Sequence, residues 1–207
     1  MIDQFFTPEP LARRIVEWVK VRPGMSVLEP SAGAGVFVRL LREQGVRVCA
    51  VEQDHRLCEK LAAEFDGDRD VMVRRADFEQ LRPPGEKGFD LVVMNPPYGS
   101  RKLGTAGMAV RHVALALEHA PRVVALAAAS FEHTVEAFKL VFSKAFVSRR
   151  VALVGRPRFE GPDDKGETPK RDYAVLELYR RDAAIGRGPD PSVATERWLM
   201  NHRGAKE

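Results

Sequence analysis

Residues 89–100 read FDLVVMNPPYGS, an apolar run that ends in an amide, two prolines and an aromatic ring. Two consecutive prolines cannot donate the hydrogen bonds of a sheet, so the strand predicted over 89–94 must end at Met94. A residue that precedes a proline is kept out of helical angles, which holds Asn95 extended. We therefore predict a buried strand followed by a stiff turn that presents an amide and a phenol to a ligand.

The same alternation of apolar strands and amphipathic helices runs along the chain. Strands are predicted over 25–29, 46–52, 70–77, 89–94, 122–130, 150–156 and 172–180, and helices over 8–20, 36–44, 54–65, 108–120 and 134–143. Apolar strands separated by helices imply a parallel sheet covered on both faces. No helix separates the last two strands, so they should pair antiparallel. The predicted fold is α/β, a doubly wound seven-stranded sheet that is mostly parallel with one antiparallel strand.

Local signals refine the ends of this fold. Thr7 is predicted to cap the first helix, with Pro8 at its first position. We place one domain at 1–181 and a tail at 182–207, where Trp198 and Leu199 suggest a short docked helix.

Composition indicates an ordinary globular protein. The chain has 207 residues with a net charge of +4, a mild bias toward polyanions such as nucleic acids. No apolar run reaches the roughly 20 residues of a membrane span, and no secretory signal is evident, so we expect a cytoplasmic protein without a membrane partner. Cys49, Cys58 and the five histidines lack metal-ligand spacing, so no metal is expected.

The residues that follow the strands predict the ligand. Ligands of such sheets bind beyond the carboxyl ends of the strands. A glycine-rich loop follows the first strand, and Glu52 follows the second at the position where an acid accepts ribose hydroxyls. Val38 stands where a dinucleotide fingerprint needs a third glycine, and Glu29 in the loop would repel a pyrophosphate. A nucleoside with an amino-acid tail and a positive sulfur, S-adenosylmethionine, fits better than NAD.

Five segments in order, FFTPEPLA, VLEPSAGAG, VEQD, ADF and NPPY, resemble the amino-methyltransferases, and especially the bacterial adenine-N6 DNA methyltransferases. The resemblance covers about residues 4–180 and implies a Rossmann-like methyltransferase fold. It implies methyl transfer from S-adenosylmethionine to an exocyclic amine, with adenine N6 in DNA as the first choice. Because guanine-N2 RNA and protein glutamine methyltransferases share the NPPY turn, an RNA base or a protein glutamine stays open. A catalytically silent nucleic-acid-binding partner ranks lower.

The resemblance also implies roles for individual residues. It assigns the cofactor to Phe6, Thr7, Pro8, Glu29, Ser31, Ala32, Gly33, Gly35, Glu52, Asp77 and Phe78. It assigns catalysis to Asn95, Pro96, Pro97 and Tyr98, and a second stacking ring to Phe159. Basic residues beside the turn and the 157–172 loop are candidates for phosphate contacts: Arg101, Lys102, Arg149, Arg150, Arg156, Arg158, Lys165, Lys170 and Arg171. Fewer than thirty residues follow the last predicted strand, so we expect no target-recognition domain there and a separate recognition subunit as a further partner.

The NPPY turn suits methyl transfer to a flat amine. The exocyclic nitrogen of adenine shares its lone pair with the ring and is a poor nucleophile. The side-chain oxygen of Asn95 and the carbonyl of Pro96 can accept its two N–H groups and free that lone pair. Tyr98 can stack on the base, an interaction typically of about 1–3 kcal/mol. A base within a duplex would have to flip out to reach the turn.

Overall fold

The computed structural model describes residues 5–83, 85, 88–99, 107–159, 171–183 and 195–199. Its strands are β1 (Ser26–Glu29), β2 (Arg47–Glu52), β3 (Val71–Arg75), β4 (Leu91–Met94), β5 (Arg122–Ala128), β6 (Ala145–Val154), β7 (Tyr173–Arg180) and β8 (Thr195–Leu199). Its α-helices are α1 (Glu9–Val19), α2 (Val36–Glu43), α3 (His55–Glu64), α4 (Met108–His119) and α5 (Val135–Ala137). A π-helical turn over Phe138–Phe142 continues α5.

These strands form one sheet in the order β3-β2-β1-β4-β5-β7-β6-β8. Strands β1 to β5 pair in parallel with one another, whereas β7 is antiparallel to both β5 and β6. The prediction of a mostly parallel sheet with one antiparallel strand is therefore confirmed. The strand order reverses between β1 and β4, which is where ligands bind in doubly wound sheets.

Apolar layers cover both faces of the sheet. Leu91 and Val93 of β4 belong to the layer that includes α1 and α2, and Val92 and Met94 belong to the layer that includes α4. This alternation follows from the opposite directions of successive side chains in a strand. All four residues are buried, as expected for a central strand covered on both sides. None of the helices in the described ranges has the length and apolarity that a membrane crossing requires.

Several local predictions are wrong. The tail segment over 195–199 is a strand, which pairs in parallel with β6, and not a helix. Pairing satisfies the backbone groups that the edge of β6 would otherwise leave open. Pro8 and not Thr7 occupies the cap position of α1, because Pro8 itself has extended angles and the helix begins at Glu9. Strand β6 begins at Ala145, five residues earlier than predicted.

The predicted strand omits the first five residues of β6, which include the polar residues Ser148 and Arg149. Arg149 lies within β6 but pairs with buried Glu177 of β7, and its guanidinium covers the ring of Trp18 at 4.0 Å. Ser148 and Arg122 also donate to Glu177. A strand that carries partnered polar residues at half-buried positions lacks the apolar pattern by which strands are predicted.

Candidate active site

A cavity of about 230 Å³ lies at the carboxyl ends of β1 to β4, around the point where the strand order reverses. It brings together many of the predicted site residues: Phe6, Ser31, Gly33, Glu52, Asp77, Phe78, Asn95, Pro96, Pro97 and Tyr98. Residues that the sequence analysis did not single out complete the lining: Phe5, Pro30, Gln53, Leu57, Ala76, Glu79, Met108 and His112. The four strand ends therefore converge on one site, as the parallel sheet predicts.

The loop between β1 and α2 needs glycine at two positions. Gly33 and Gly35 have φ angles of +54° and +81°. A Cβ on Gly33 would lie 3.0 Å from the ring of Phe6, and a Cβ on Gly35 would lie 2.4 Å from Leu61 Cδ1. Gly33 thus lets the N-terminal segment approach the loop, whereas Gly35 lets α3 approach it. Gly35 does not line the cavity, so its role there is packing.

Glu52 fixes the loop from the neighbouring strand. Its Oε2 accepts a hydrogen bond from the Gly33 N–H at 2.7 Å, and its Oε1 accepts one from the Asp54 N–H at 2.8 Å. Each carboxylate oxygen keeps a further lone pair with which to accept a hydroxyl of a ligand. The predicted role of Glu52 toward a ribose remains a prediction that its position in the lining allows.

Glu29 lies at the end of β1, is 1% exposed and is not part of the cavity lining. Its Oε1 accepts a hydrogen bond from the Ser31 N–H at 3.2 Å, whereas its Oε2 has no hydrogen-bond partner among the described residues. Burial raises the pKa of the Glu29 carboxyl well above its usual value. A buried carboxylate oxygen without a partner is costly, and a nearby ammonium or sulfonium group would offset that cost. The site therefore fits a ligand with a positive charge beside the glycine loop.

Asp77 and Phe78 lie at the end of β3. Asp77 caps the 3₁₀ turn over Phe78–Gln80, because its Oδ1 accepts from the Glu79 N–H and its Oδ2 accepts from the side chain of Gln80. The ring of Phe78 is 5.4 Å from that of His112 and 5.2 Å from that of His119. The contact of both residues with a cofactor adenine stays a prediction.

The NPPY turn holds Asn95 by both ends of its amide. Asn95 Nδ2 donates to the Phe5 carbonyl at 3.1 Å, and Asn95 Oδ1 accepts from the Tyr98 hydroxyl at 2.9 Å. The same hydroxyl lies 2.9 Å from the carbonyl of Leu126. Burial raises the pKa of the Tyr98 phenol well above its ordinary value, so the hydroxyl keeps its proton and acts as a donor.

Several predicted site residues do not line the cavity. These are Thr7, Pro8, Glu29, Ala32, Gly35 and Phe159. Phe159 has no exposed surface and packs against Phe5 and Tyr173, with ring centroids 6.2 Å and 5.1 Å apart. This buried position gives no support to its prediction as a ring that stacks on a substrate base, which stays a prediction. Thr7 is also buried, and Ala32 shapes the loop through a backbone hydrogen bond to Val51.

The basic residues predicted to contact phosphates differ in their exposure and in their ion pairs. Arg149 and Arg150 form ion pairs with Glu177 and Glu132, so each already has an acidic partner, and a phosphate contact by either stays a prediction. Arg156 lies 3.3 Å from Asp172 at the surface, and Arg158 and Arg171 are exposed. Arg101, Lys102, Lys165 and Lys170 lie outside the described residues.

Comparison with known proteins relates this site to methyltransferases. A family model described as ribosomal RNA adenine dimethylase matches residues 3–103, just under half of the chain, and this range contains both the glycine loop and the NPPY turn. An rRNA adenine N-6-methyltransferase of Saccharopolyspora erythraea is 36% identical over 73 residues, which is 35% of this chain and 19% of the relative. The type II methyltransferase M.AccI of Acinetobacter calcoaceticus is 32% identical over 98 residues, which is 46% of this chain and 18% of the relative. The chain thus spans about a fifth of the length of each of these two relatives.

A solved structure described as an RNA methyltransferase of Pyrococcus horikoshii superposes with a TM-score of 0.68 at 20% identity, covering 86% of this chain and 88% of the other. The fold is that of the Rossmann-like methyltransferases. Similarity to these methyltransferases confirms the predicted cofactor, S-adenosylmethionine. The unpartnered oxygen of Glu29 and the glycine loop agree with this cofactor, which carries a positive charge beside its amino-acid portion.

Proposed function

We propose that this protein transfers a methyl group from S-adenosylmethionine to the N6 nitrogen of adenine in RNA, with ribosomal RNA as the first candidate. One observation carries the proposal: the glycine loop after β1 and the amide of Asn95 after β4 line the same cavity. A donor held at the loop and an amine held at the turn would therefore meet across a short distance. The family model supports the choice of adenine, because its match includes both segments.

The turn offers two acceptors to the two N–H groups of an adenine amine. The oxygen of Asn95 already accepts one hydrogen bond, from Tyr98, and its second lone pair can accept another. The carbonyl of Pro96 is the second acceptor, because proline keeps its carbonyl while it lacks an N–H. When bound, the cofactor supplies a methyl group on a positively charged sulfur.

These residues act by positioning and electrostatics more than by acid–base chemistry. Two accepted hydrogen bonds draw the amine toward a tetrahedral shape and make its lone pair available. Holding donor and acceptor together contributes much of the rate, because the reaction no longer depends on a chance encounter. The ammonium product is strongly acidic, so it loses its proton without a strong base in the site.

RNA replaces the DNA substrate that the sequence analysis ranked first. The family model and the Saccharopolyspora relative are both described by their action on ribosomal RNA adenine. One observation supports a DNA substrate, which is the similarity to a type II methyltransferase over 46% of the chain. A recognition subunit stays an open partner for either substrate.

A substrate survey tests the proposal. The pure protein is incubated with methyl-labelled S-adenosylmethionine and, separately, with ribosomal RNA, transfer RNA, duplex DNA and a protein extract, and labelled nucleosides are then identified. We expect N6-methylated adenosine from ribosomal RNA and no label with the Asn95→Ala variant. Label in N6-methyldeoxyadenosine alone would favour the DNA substrate, and label in protein alone would refute an adenine target.

A further inference from the structure

The amide of Asn95 has one orientation that satisfies both of its neighbours. Phe5 offers a carbonyl oxygen, which can only accept, so the nitrogen of Asn95 must face Phe5 at 3.1 Å. The oxygen of Asn95 then faces the hydroxyl of Tyr98 at 2.9 Å. A flipped amide would place two oxygens against each other at Phe5. The chemistry of the neighbours therefore fixes which end of Asn95 is offered to a substrate.

The nitrogen of Asn95 holds a segment that belongs to the cofactor side of the cavity. Phe5 and Phe6 both line the cavity, and the Phe6 ring lies 3.0 Å from the position that a Cβ on Gly33 would occupy. The ring of Phe5 packs on Phe159. Residues 5 and 6 therefore connect the glycine loop with the NPPY turn, and the hydrogen bond from Asn95 joins them to the turn.

The hydroxyl of Tyr98 holds the other end of the amide. It has one proton and two acceptors at the same 2.9 Å distance, Asn95 Oδ1 and the carbonyl of Leu126. Leu126 lies one residue beyond the last pair between β4 and β5, so its carbonyl faces the turn. The edge of the Tyr98 ring packs against Tyr173, 5.4 Å away between centroids. The hydroxyl proton is shared between the two acceptors, and the packing of the ring on Tyr173 anchors Tyr98 independently of Asn95.

We propose that Asn95 serves both halves of the site: its oxygen receives the substrate amine, and its nitrogen holds the Phe5–Phe6 segment against the cofactor loop. The Tyr98 hydroxyl is a positioning group that keeps the oxygen of Asn95 aimed into the cavity. This inference rests on the proposed function for the substrate half only. It predicts that a residue expected to act on the substrate also determines cofactor affinity.

The test of the nitrogen uses Asn95→Asp, which keeps the shape of the side chain and replaces the donor with a titratable oxygen. Affinity for S-adenosylmethionine is measured by calorimetry at about pH 8 and about pH 5.5, with the wild type at both pH values to account for nearby Glu29, Glu52 and His112. At the higher pH a carboxylate faces the Phe5 carbonyl, and we expect affinity to fall about tenfold relative to the wild type. The charged form of the introduced carboxyl is disfavoured by partial burial and by the facing Phe5 carbonyl, which both raise its pKa. At the lower pH a larger fraction of this carboxyl is therefore protonated and can donate as Nδ2 does, so part of the affinity should return.

A second variant separates the loss of the hydrogen-bond donor from a loss of the fold. Asn95→Leu has a similar shape and no donor, so its affinity should be reduced at both pH values, with the fold checked by circular dichroism. Wild-type affinity in both variants at both pH values would refute the role of the nitrogen. That outcome leaves the proposed function standing if the wild type methylates adenine. A pH-dependent loss in Asn95→Asp without any methyl transfer by the wild type would instead refute the proposed function alone.

The test of the hydroxyl uses Tyr98→Phe, which keeps the ring. We expect kcat for methyl transfer to fall about tenfold, because the amide oxygen loses the hydrogen bond that aims it, while substrate KM and cofactor affinity change less than about twofold. Tyr173→Phe is the matched control, since it removes a hydroxyl from the ring that packs on Tyr98, and Tyr173 is not among the described hydrogen-bond partners of Asn95. An unchanged kcat in Tyr98→Phe, or an equal loss in both variants, would refute the positioning role.

Discussion

His112 should make the stability of this protein depend on pH over a defined range. It is 6% exposed, and burial lowers its pKa to about 4, although Glu79 and Asp77 partly oppose this shift. A histidine in an unfolded chain has a pKa of about 6.5, so the unfolded state takes up a proton first as the pH falls. The free energy of unfolding therefore decreases from about pH 6.5 down to about pH 4. From these two pKa values, His112 alone costs about 2.5 kcal/mol at about pH 4.5.

The assay is chemical unfolding at about pH 7.5 and about pH 4.5, followed by circular dichroism. His112→Phe keeps an aromatic ring against Phe78 and cannot titrate, so we expect it to lose about 2.5 kcal/mol less than the wild type between the two pH values. His55→Gln is the control for the loss of a surface histidine, because the side chain of His55 is 57% exposed. Equal losses in His112→Phe and the wild type would show that His112 does not resist protonation in the folded state.

Three substitutions test other parts of the structure. Gly35→Ala should lower the free energy of unfolding by about 2 kcal/mol more than Gly67→Ala in urea unfolding, because the two glycines share a φ of +81° and only Gly35 would meet a side chain. Equal losses would show that the packing of α3 on the loop is unimportant. Glu177→Gln should cost about 3 kcal/mol in the same assay, since it leaves two arginines without their buried partner; a loss below about 1 kcal/mol would contradict this. Glu29→Gln should stabilise the cofactor-free protein by about 1 kcal/mol near neutral pH and by less at lower pH, because burial raises the pKa of the Glu29 carboxyl and disfavours its charged form. The same variant should weaken S-adenosylmethionine binding about tenfold by calorimetry, and unchanged binding would remove Glu29 from the cofactor site.

Most of the sheet could be predicted because its signals are local. Apolar runs that end in proline, glycine or charged residues identify β1 to β5 and β7, and the absence of a helix before β7 predicts its direction. Much of the site could also be predicted, because the residues that follow parallel strands must meet at one edge of the sheet. Gln53 and Ala76 could have been added to the predicted lining, since each is adjacent in sequence to a predicted residue.

Other features depend on contacts between distant parts of the chain. Met108 and His112 reach the cavity from α4, one helical turn apart, and no strand end marks them. Phe159 has the residue type of a stacking ring, but the N-terminal segment and Tyr173 bury it. Strand β8 exists through its pairing with β6, and this pairing between segments distant in sequence decides its structure against the short helix predicted from Trp198 and Leu199.

The contact between Trp18 and β8 gives this protein an intrinsic optical reporter. The indole N–H of Trp18 donates to the carboxylate of Glu196 in β8 at 2.8 Å, while the guanidinium of Arg149 covers the ring. Indole fluorescence is sensitive to nearby charge and to hydration. The second tryptophan, Trp198, lies in β8 itself, so a Trp198→Phe variant isolates the signal of Trp18. Emission from Trp18 in this variant should change when the last strand separates from β6, so that detachment of this edge can be followed separately from unfolding of the sheet without an added label.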